Sequence, residues 1–252
     1  MEENHFRELK FMFLNTEDLL DDDKKNTMQQ LIDTMPIYIG IKDASSQYLI
    51  GNNLFSKLVG LSDGADIQGW HDNEFNCFRK IAHLFVERDA RVMKKNCIFN
   101  ILTYTFDANN KPILLYGKKY PMTDKNGIIL ACGFFLQDVT VSQLINLAPL
   151  LSLCNTAHGS RQLGNQFSYI ITESVPEYLL SNRQTECLFH LLRGQSANDI
   201  SLTLNISKRT VETHIDDIKS KLGCDTKAQL IDKAICSGLL NYIPSSLIKT
   251  AL

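Results

Sequence analysis

Apolar residues change their spacing along this chain, and the changes divide it. Met28, Leu31, Ile32 and Met35 recur at i, i+3, i+4 and i+7, one face of a helix. Beyond them the period shortens. IYIGIK, from Ile37, alternates and is rich in β-branched residues, which predicts a strand. QYLIGNN predicts a second, after the polar turn cluster Asp43-Ala-Ser-Ser. Short helical pieces follow to Gly60, and Phe75, Phe78, Ile81, Ala82, Phe85 and Val92 predict helix between Asn73 and Lys95. Three strand-like runs close this part: CIFNILTYTF, PILLYGKKYPM and GIILACGFFLQDV. Asp107-Ala-Asn-Asn and Thr123-Asp-Lys-Asn-Gly separate them as hairpin turns, and Asn126-Gly127 is a strong turn signal because both residues tolerate positive φ.

Past Thr140 the helical period returns. Leu144, Leu147, Leu150 or Leu151, and Cys154 predict a helix over Val141–Ala157, interrupted at Pro149, which lacks a backbone donor. His158–Ser174 reads as a tether holding one short strand, FSYIIT. Four capped helices then follow. Ser181-Asn-Arg-Gln184, Ser196-Ala-Asn-Asp199 and Thr226-Lys-Ala-Gln229 are capping boxes, and Ser207 caps the third helix. Gly194 and Gly223 stand where the first and third end. Their apolar stripes are Leu188, Leu191 and Leu192; Ile200 and Leu204; Val211, Ile215, Ile218 and Leu222; Leu230, Ala234 and Ile235. Only Asn205, Ile206 and the Ser207 cap join the second helix to the third, a helix-turn-helix. Asp21-Asp-Asp-Lys-Lys reads as a solvated linker near the start.

The expected fold class is α+β: an N-terminal five-stranded antiparallel sheet with helices, plus a C-terminal all-α four-helix helix-turn-helix domain. The expected divisions are a helical segment over 1–34, the sheet domain over 35–140, a linker helix and tether over 141–177, and the helical domain over 178–244. Two strands, helices and a three-strand meander resemble the PAS domain family. The residues that carry this are Met35–Gly60 and the closing Pro121–Thr140, which ends on Asp138-Val139-Thr140. The resemblance implies a sensory or dimerising module with a small cavity between sheet and helices; it fixes no ligand. The C-terminal segment resembles the LuxR-type helix-turn-helix family through Glu186, Gly194-Gln-Ser196-Ala-Asn-Asp199-Ile200, Ser207-Lys-Arg-Thr210-Val211-Glu-Thr-His214 and Lys221-Leu222.

Projected at 100° per residue, the third helix turns Val211, Ile215, Ile218 and Leu222 toward a core and Arg209, Glu212, Thr213, Asp216 and Ser220 the other way. A recognition helix offers such a face to the major groove. By the LuxR-type resemblance, Glu212, Thr213 and Asp216 stand where base edges pass, and Lys208, Arg209, Thr210 and Lys221 where phosphates pass. Acids have a use there: a carboxylate accepts from the cytosine N4 amino group. The alternative for Glu212 is a solvated residue paired with Lys208 or Lys219. Asp217 reads as a surface charge at the edge, and His214 as a packed or capping residue beside the core face.

Charge adds little direction. The formal net charge is −2, while Leu180 onward holds nine Lys and Arg against seven Asp and Glu. A near-neutral recognition helix implies weak binding by one copy, so a homodimer on double-stranded DNA is expected. The polar start MEENHFRELK shows no signal peptide, and the longest apolar runs fall short of the ~20 residues of a membrane span, so a cytoplasmic place is expected. Seven scattered cysteines without a CxxC pair fit reduced thiols.

Three tempting sites carry little. Asn76-Cys77-Phe78-Arg79 has the wrong order for a flavin-adduct motif. His83 is a lone candidate for haem, and His71, Asp72 and Glu74 form no four-ligand set. No cofactor and no metal are expected, and no phosphate loop or nucleophile elbow suggests an enzyme. The reading is a bacterial transcriptional regulator whose sheet domain senses a small ligand or a partner. Two alternatives stay open: a dimerisation or interaction protein with a weak or non-functional DNA-binding domain, and a haem- or flavin-dependent sensor.

Overall fold

The structure, a computed structural model, describes residues 22–62, 67–124, 126–140 and 167–249. The chain forms two compact units that divide after Thr140, residues 166–168 grouping with the first.

In the first unit, helix α1 (Asp22–Asp33) precedes strands β1 (Tyr38–Asp43) and β2 (Tyr48–Gly51), then α2 (Asn53–Val59), α3 (Ala82–Lys95), β3 (Phe99–Phe106), β4 (Pro112–Thr123) and β5 (Ile129–Asp138). Side by side the strands run β2-β1-β5-β4-β3, each adjacent pair antiparallel. Both hairpins of the meander use one device. The Asp107 carboxylate accepts from the Asn109 and Lys111 backbone N–H groups at 2.9 and 2.8 Å, and Asp124 does the same for Asn126 and Ile128.

The sheet's two faces bury different things. One carries an aromatic cluster of Tyr48, Phe55, Phe75, Phe78, Phe85 and Phe134. On the other, Ile32 of α1 packs with Ile39, Ile41, Ile50, Met122, Ala131 and Phe135. Asn52 ties these parts together. Its carbonyl oxygen accepts from the Ile39 and Phe55 backbone N–H groups, each at 3.1 Å, and its amide donates to the Ile32 and Ile37 carbonyls. One fully buried amide thus caps α2 and fixes the end of α1 against β1.

Two expectations need correction. Asp22, Asp23, Lys24 and Lys25 are not a linker but the opening of α1, where acids complement the positive end of the helix dipole. The helix expected from Asn73 begins regularly only at Ala82; a short 3-10 turn covers Asp72–Glu74 and turns lead on from it. Phe75, Phe78 and Ile81 are buried all the same, and the Cys77 carbonyl accepts from Thr105 Oγ1 at 3.1 Å instead of extending a helix. The helix expected over 141–157 lies outside the described residues.

The second unit holds β6 (Phe167–Thr172) from Tyr169 onward, then α4 (Asn182–Leu191), α5 (Ala197–Leu204), α6 (Lys208–Leu222) and α7 (Lys227–Cys236), and last β7 (Tyr242–Pro244) and the short α8 (Ser245–Lys249). Residues 170–172 of β6 pair in parallel with β7. Ser181, Ser196, Ser207 and Thr226 cap the four main helices with their side chains. Of the expected fourth stripe, Leu230 and Ala234 are buried, whereas Ile235 is half exposed.

Gly40 marks where the first sheet leaves no room. A Cβ there would stand 2.4 Å from Cζ of Phe134 on the neighbouring strand. We expect Gly40→Ala to destabilise the first unit by about 1–3 kcal/mol as the ring is displaced, measurable by denaturant unfolding with Phe134→Leu as the relieving second change.

Candidate functional site

The recognition-helix geometry begins at the turn. Asn205 closes α5 in the left-handed conformation at φ 52°, which a short polar side chain tolerates. The Ile206 N–H bonds back to the Ser201 carbonyl at 3.1 Å, and Ser207 Oγ then accepts from the Thr210 N–H at 3.0 Å. Three residues thus redirect the chain without leaving these helix ends unpaired.

Along α6, Val211, Ile215, Ile218 and Leu222 are buried. Arg209, Glu212, Thr213, Asp216, Asp217 and Ser220 are exposed together with Lys208 and Thr210. The acids have neighbours on their own helix: Lys208 lies 3.7 Å from Glu212, and Lys219 lies 2.8 Å from Asp216. Such exposed pairs are worth only a few tenths of a kcal/mol. A bidentate base contact is worth about 1–3 kcal/mol, so these carboxylates are free to exchange partners. Thr213, also exposed, donates to the Arg209 carbonyl at 3.0 Å.

Lys221 sits differently from the other basic residues. Its ammonium donates to the Leu179 carbonyl at 2.6 Å and to Gln184 Oε1 at 2.7 Å, so it is already engaged inside the unit. Asp217, read as a surface charge, accepts from Gln184 Nε2 at 3.3 Å. His214 is half-buried, its Nδ1 shielded beside the core. Glu186 is almost fully buried and accepts from Arg183 at 2.8 Å and from Ser246 at 2.5 Å, which makes it a structural tie between α4 and α8. Sequence reasoning placed Glu186 in a motif but missed its partner, because α8 lies past the expected domain end.

The same unit buries His190 beside Arg193. Burial, and then the Arg193 charge, push the imidazole down to about 4. The folded value lies below the ordinary ~6.5 of an unfolded chain, so the unit's stability is complete above that value and is lost as pH falls toward 4. The expected loss is roughly 2–3 kcal/mol. Unfolding of the isolated His190→Gln variant beside wild type at pH 7.5 and pH 4.5 checks this: the variant should show the smaller acid loss.

The first unit holds a second polar site that the sequence did not disclose. Lys42 on β1, Lys119 on β4 and Cys132 on β5 point to the aromatic side of the sheet, in register with Phe134. There Lys42 pairs with Asp72 and, at 3.3 Å, with Asp89 of α3; Lys119 also pairs with Asp89. Tyr48 donates its hydroxyl to Asp72 at 2.7 Å. Two ammonium groups and two carboxylates balance. Burial alone would raise the Asp89 carboxyl, but Lys119 and Lys42 outweigh it and hold the group below the usual range. Burial likewise works against the Lys42 charge, and Asp72 with Asp89 overcomes it to raise the ammonium. Cys132 is pushed up to about 12, first by burial and then by Asp89, and stays a thiol. Lys42, Tyr48, Asp72, Thr103 and Lys119, with phenylalanine rings, line a cavity of about 30 Å³, room for a water or two.

Asp72 is therefore committed to Lys42 and Tyr48, His83 is exposed on α3, and Glu74 accepts from the His71 backbone N–H. The signal for the quartet was parity: Lys42 and Lys119 share the strand phase of Gly40 and Gly117, whose side is buried. Asp89→Asn leaves two buried ammonium groups short of a partner and should cost about 3–5 kcal/mol, read as a lower thermal midpoint for the first unit. The lowered Asp89 carboxyl gives stability that is lost as pH falls through its folded value, and the raised Lys42 ammonium gives stability that is lost as pH rises through its own.

The first unit is a PAS-like sheet with helices over its aromatic face, and the four capped helices after it contain a helix-turn-helix. Residues 178–234 match the GerE family, described as bacterial regulatory proteins of the luxR family. Among curated relatives, the transcriptional activator AhyR of Aeromonas hydrophila is 36% identical over 70 residues, 28% of this chain and 27% of its own. The transcriptional activator VanR of Vibrio anguillarum is 36% identical over 105 residues, 42% and 39%. The chain thus spans well under half the length of these relatives. Among solved structures, the VqmA dimer of Vibrio cholerae in the absence of target DNA is 26% identical, covering 88% of this chain and 92% of that one with a TM-score of 0.45. The phage VqmA–DPO complex is 26% identical, covering 92% and 95% with a TM-score of 0.46. Among the described residues no helix is long and apolar enough to cross a membrane.

Proposed function

We propose that this chain is a sequence-specific DNA-binding regulator of transcription, not an enzyme, that works as a homodimer in the cytoplasm. The observation that carries the reading is the two-sided helix α6: one stripe sealed in the core, the other exposed and rich in groups that match base edges and phosphates. Lys208, Arg209 and Thr210 at its start meet phosphates; Glu212, Thr213 and Asp216 meet bases. The DNA-binding domain is 178–244, and the PAS domain over 35–140 senses a small ligand or a partner, its effect carried through 141–177. Support for sensing is the small cavity that Lys42, Tyr48, Asp72 and Lys119 line together with aromatic rings.

A second reading is kept by Glu212 and Asp216, exposed acids on the face that would meet DNA, whose charge repels phosphates. In it the helix-turn-helix serves protein contacts only. Selection of random duplexes by the full-length protein, with anisotropy across salt, separates the two. The DNA reading expects an enriched two-fold motif whose affinity falls about a thousandfold between 50 and 200 mM salt if some six phosphates are contacted. Arg209→Ala should weaken all duplexes and flatten the salt slope by about 0.9 per phosphate lost; Asp216→Ala should change the preferred bases. No enrichment by the full-length protein or by the piece from Leu180 onward would refute the DNA reading.

A further inference from the structure

Gln184 occupies a position that the motif does not explain. It is almost fully buried, and its one amide serves three partners. Oε1 accepts from the Ser181 backbone N–H at 3.1 Å and from Lys221 Nζ at 2.7 Å. Nε2 donates to Asp217 Oδ2 at 3.3 Å. Asp217 and Lys221 are opposite charges one turn apart on α6, and Lys221 also reaches the Leu179 carbonyl at 2.6 Å. An amide accepts at one end and donates at the other, which is what a carboxylate and an ammonium together require.

We propose that Gln184 is a positioning residue that sets the rotation of the recognition helix, and that Lys221 belongs to this clamp and not to the phosphate contacts. The proposal rests on the DNA-binding reading above. The apolar stripe of α6 holds the helix down without fixing its angle, because hydrophobic burial is non-directional. Hydrogen bonds are directional and fail outside a narrow range of distance and angle. A helix carries its side chains about 5–6 Å from its axis, so a rotation of about 20° would carry Thr213 or Asp216 some 2 Å across the groove. That exceeds the tolerance of a base contact. The clamp grips the C-terminal half of α6, opposite the end that Lys208, Arg209 and Thr210 offer to phosphates.

The test reverses polarity without losing the helix cap. Glu is as good as Gln at the third position of a capping box, so Gln184→Glu keeps α4 capped and keeps Lys221 satisfied. It sets a carboxylate against Asp217. In the full-length protein, at a temperature where circular dichroism shows each variant folded, Q184E should bind the selected duplex about tenfold more weakly while unrelated duplex is bound as before. The double variant Q184E/D217N restores an accept–donate match and should recover affinity to within about twofold. Lys221→Met should leave the salt slope of binding unchanged, whereas Arg209→Ala lowers it. The proposal is overturned if Q184E keeps the wild-type ratio of selected to unrelated binding, if D217N brings no recovery, or if Lys221→Met lowers the slope by about one phosphate contact. A wild-type chain that selects no motif would instead remove the DNA reading on which the clamp depends.

Discussion

A carboxylate with no solvent exposure must be neutralised where it stands, and Asp89 is such a group. It sits on α3 over the aromatic face of the sheet and meets Lys42 of β1 and Lys119 of β4. Those two strands flank β5, so the Asp89 pairs bridge the middle of the sheet to the helix above it. The aromatic cluster fills the rest of that space. Buried ion pairs give little net stability compared with apolar packing. What they add is direction: a phenylalanine cluster tolerates sliding, whereas two ammonium groups reaching one carboxylate fix α3 against a particular register of β1 and β4.

The helical unit applies the same rule at its surface, where it gives the opposite result. Charges on the outer face of α6 are solvated, and their pairs are weak enough to be traded. The buried polar groups are tied instead to the frame: Glu186 to Arg183 and Ser246, and Gln184 to Asp217 and Lys221. The helix is thus tied where it meets protein and able to exchange partners where it faces outward, which suits the DNA reading proposed above.

Much of this was legible because it is local. Caps depend on residues three apart, and Ser181, Ser196, Ser207 and Thr226 all cap as their sequence neighbourhoods require. Strand alternation and turn chemistry located all five strands of the first sheet. What escaped depends on partners far along the chain. Lys42 meets Asp72 thirty residues away and Asp89 forty-seven away; alternation could mark Lys42 as inward-facing but could not name its partner. Lys221 is expected at a phosphate because it is basic and near the end of its helix; its bonds to Leu179 and Gln184, 42 and 37 residues back, could not be read from that local spacing. The Asp21 run failed for a different reason: composition suggested solvated linker, and the helix dipole favours the same acids in a first turn.

The size of the cavity bears on how the two units could communicate. At about 30 Å³ it admits no more than a water or two. Any larger molecule enters only if rings such as Phe78, Phe85 or Phe134 separate, or if Lys42 leaves Asp72. The occupied and empty states then differ in packing as a matter of volume. That difference is the requirement for control, because a ligand shifts an equilibrium only by its unequal affinity for two states. If the first unit takes up a ligand as proposed, a site this small makes binding and rearrangement the same event.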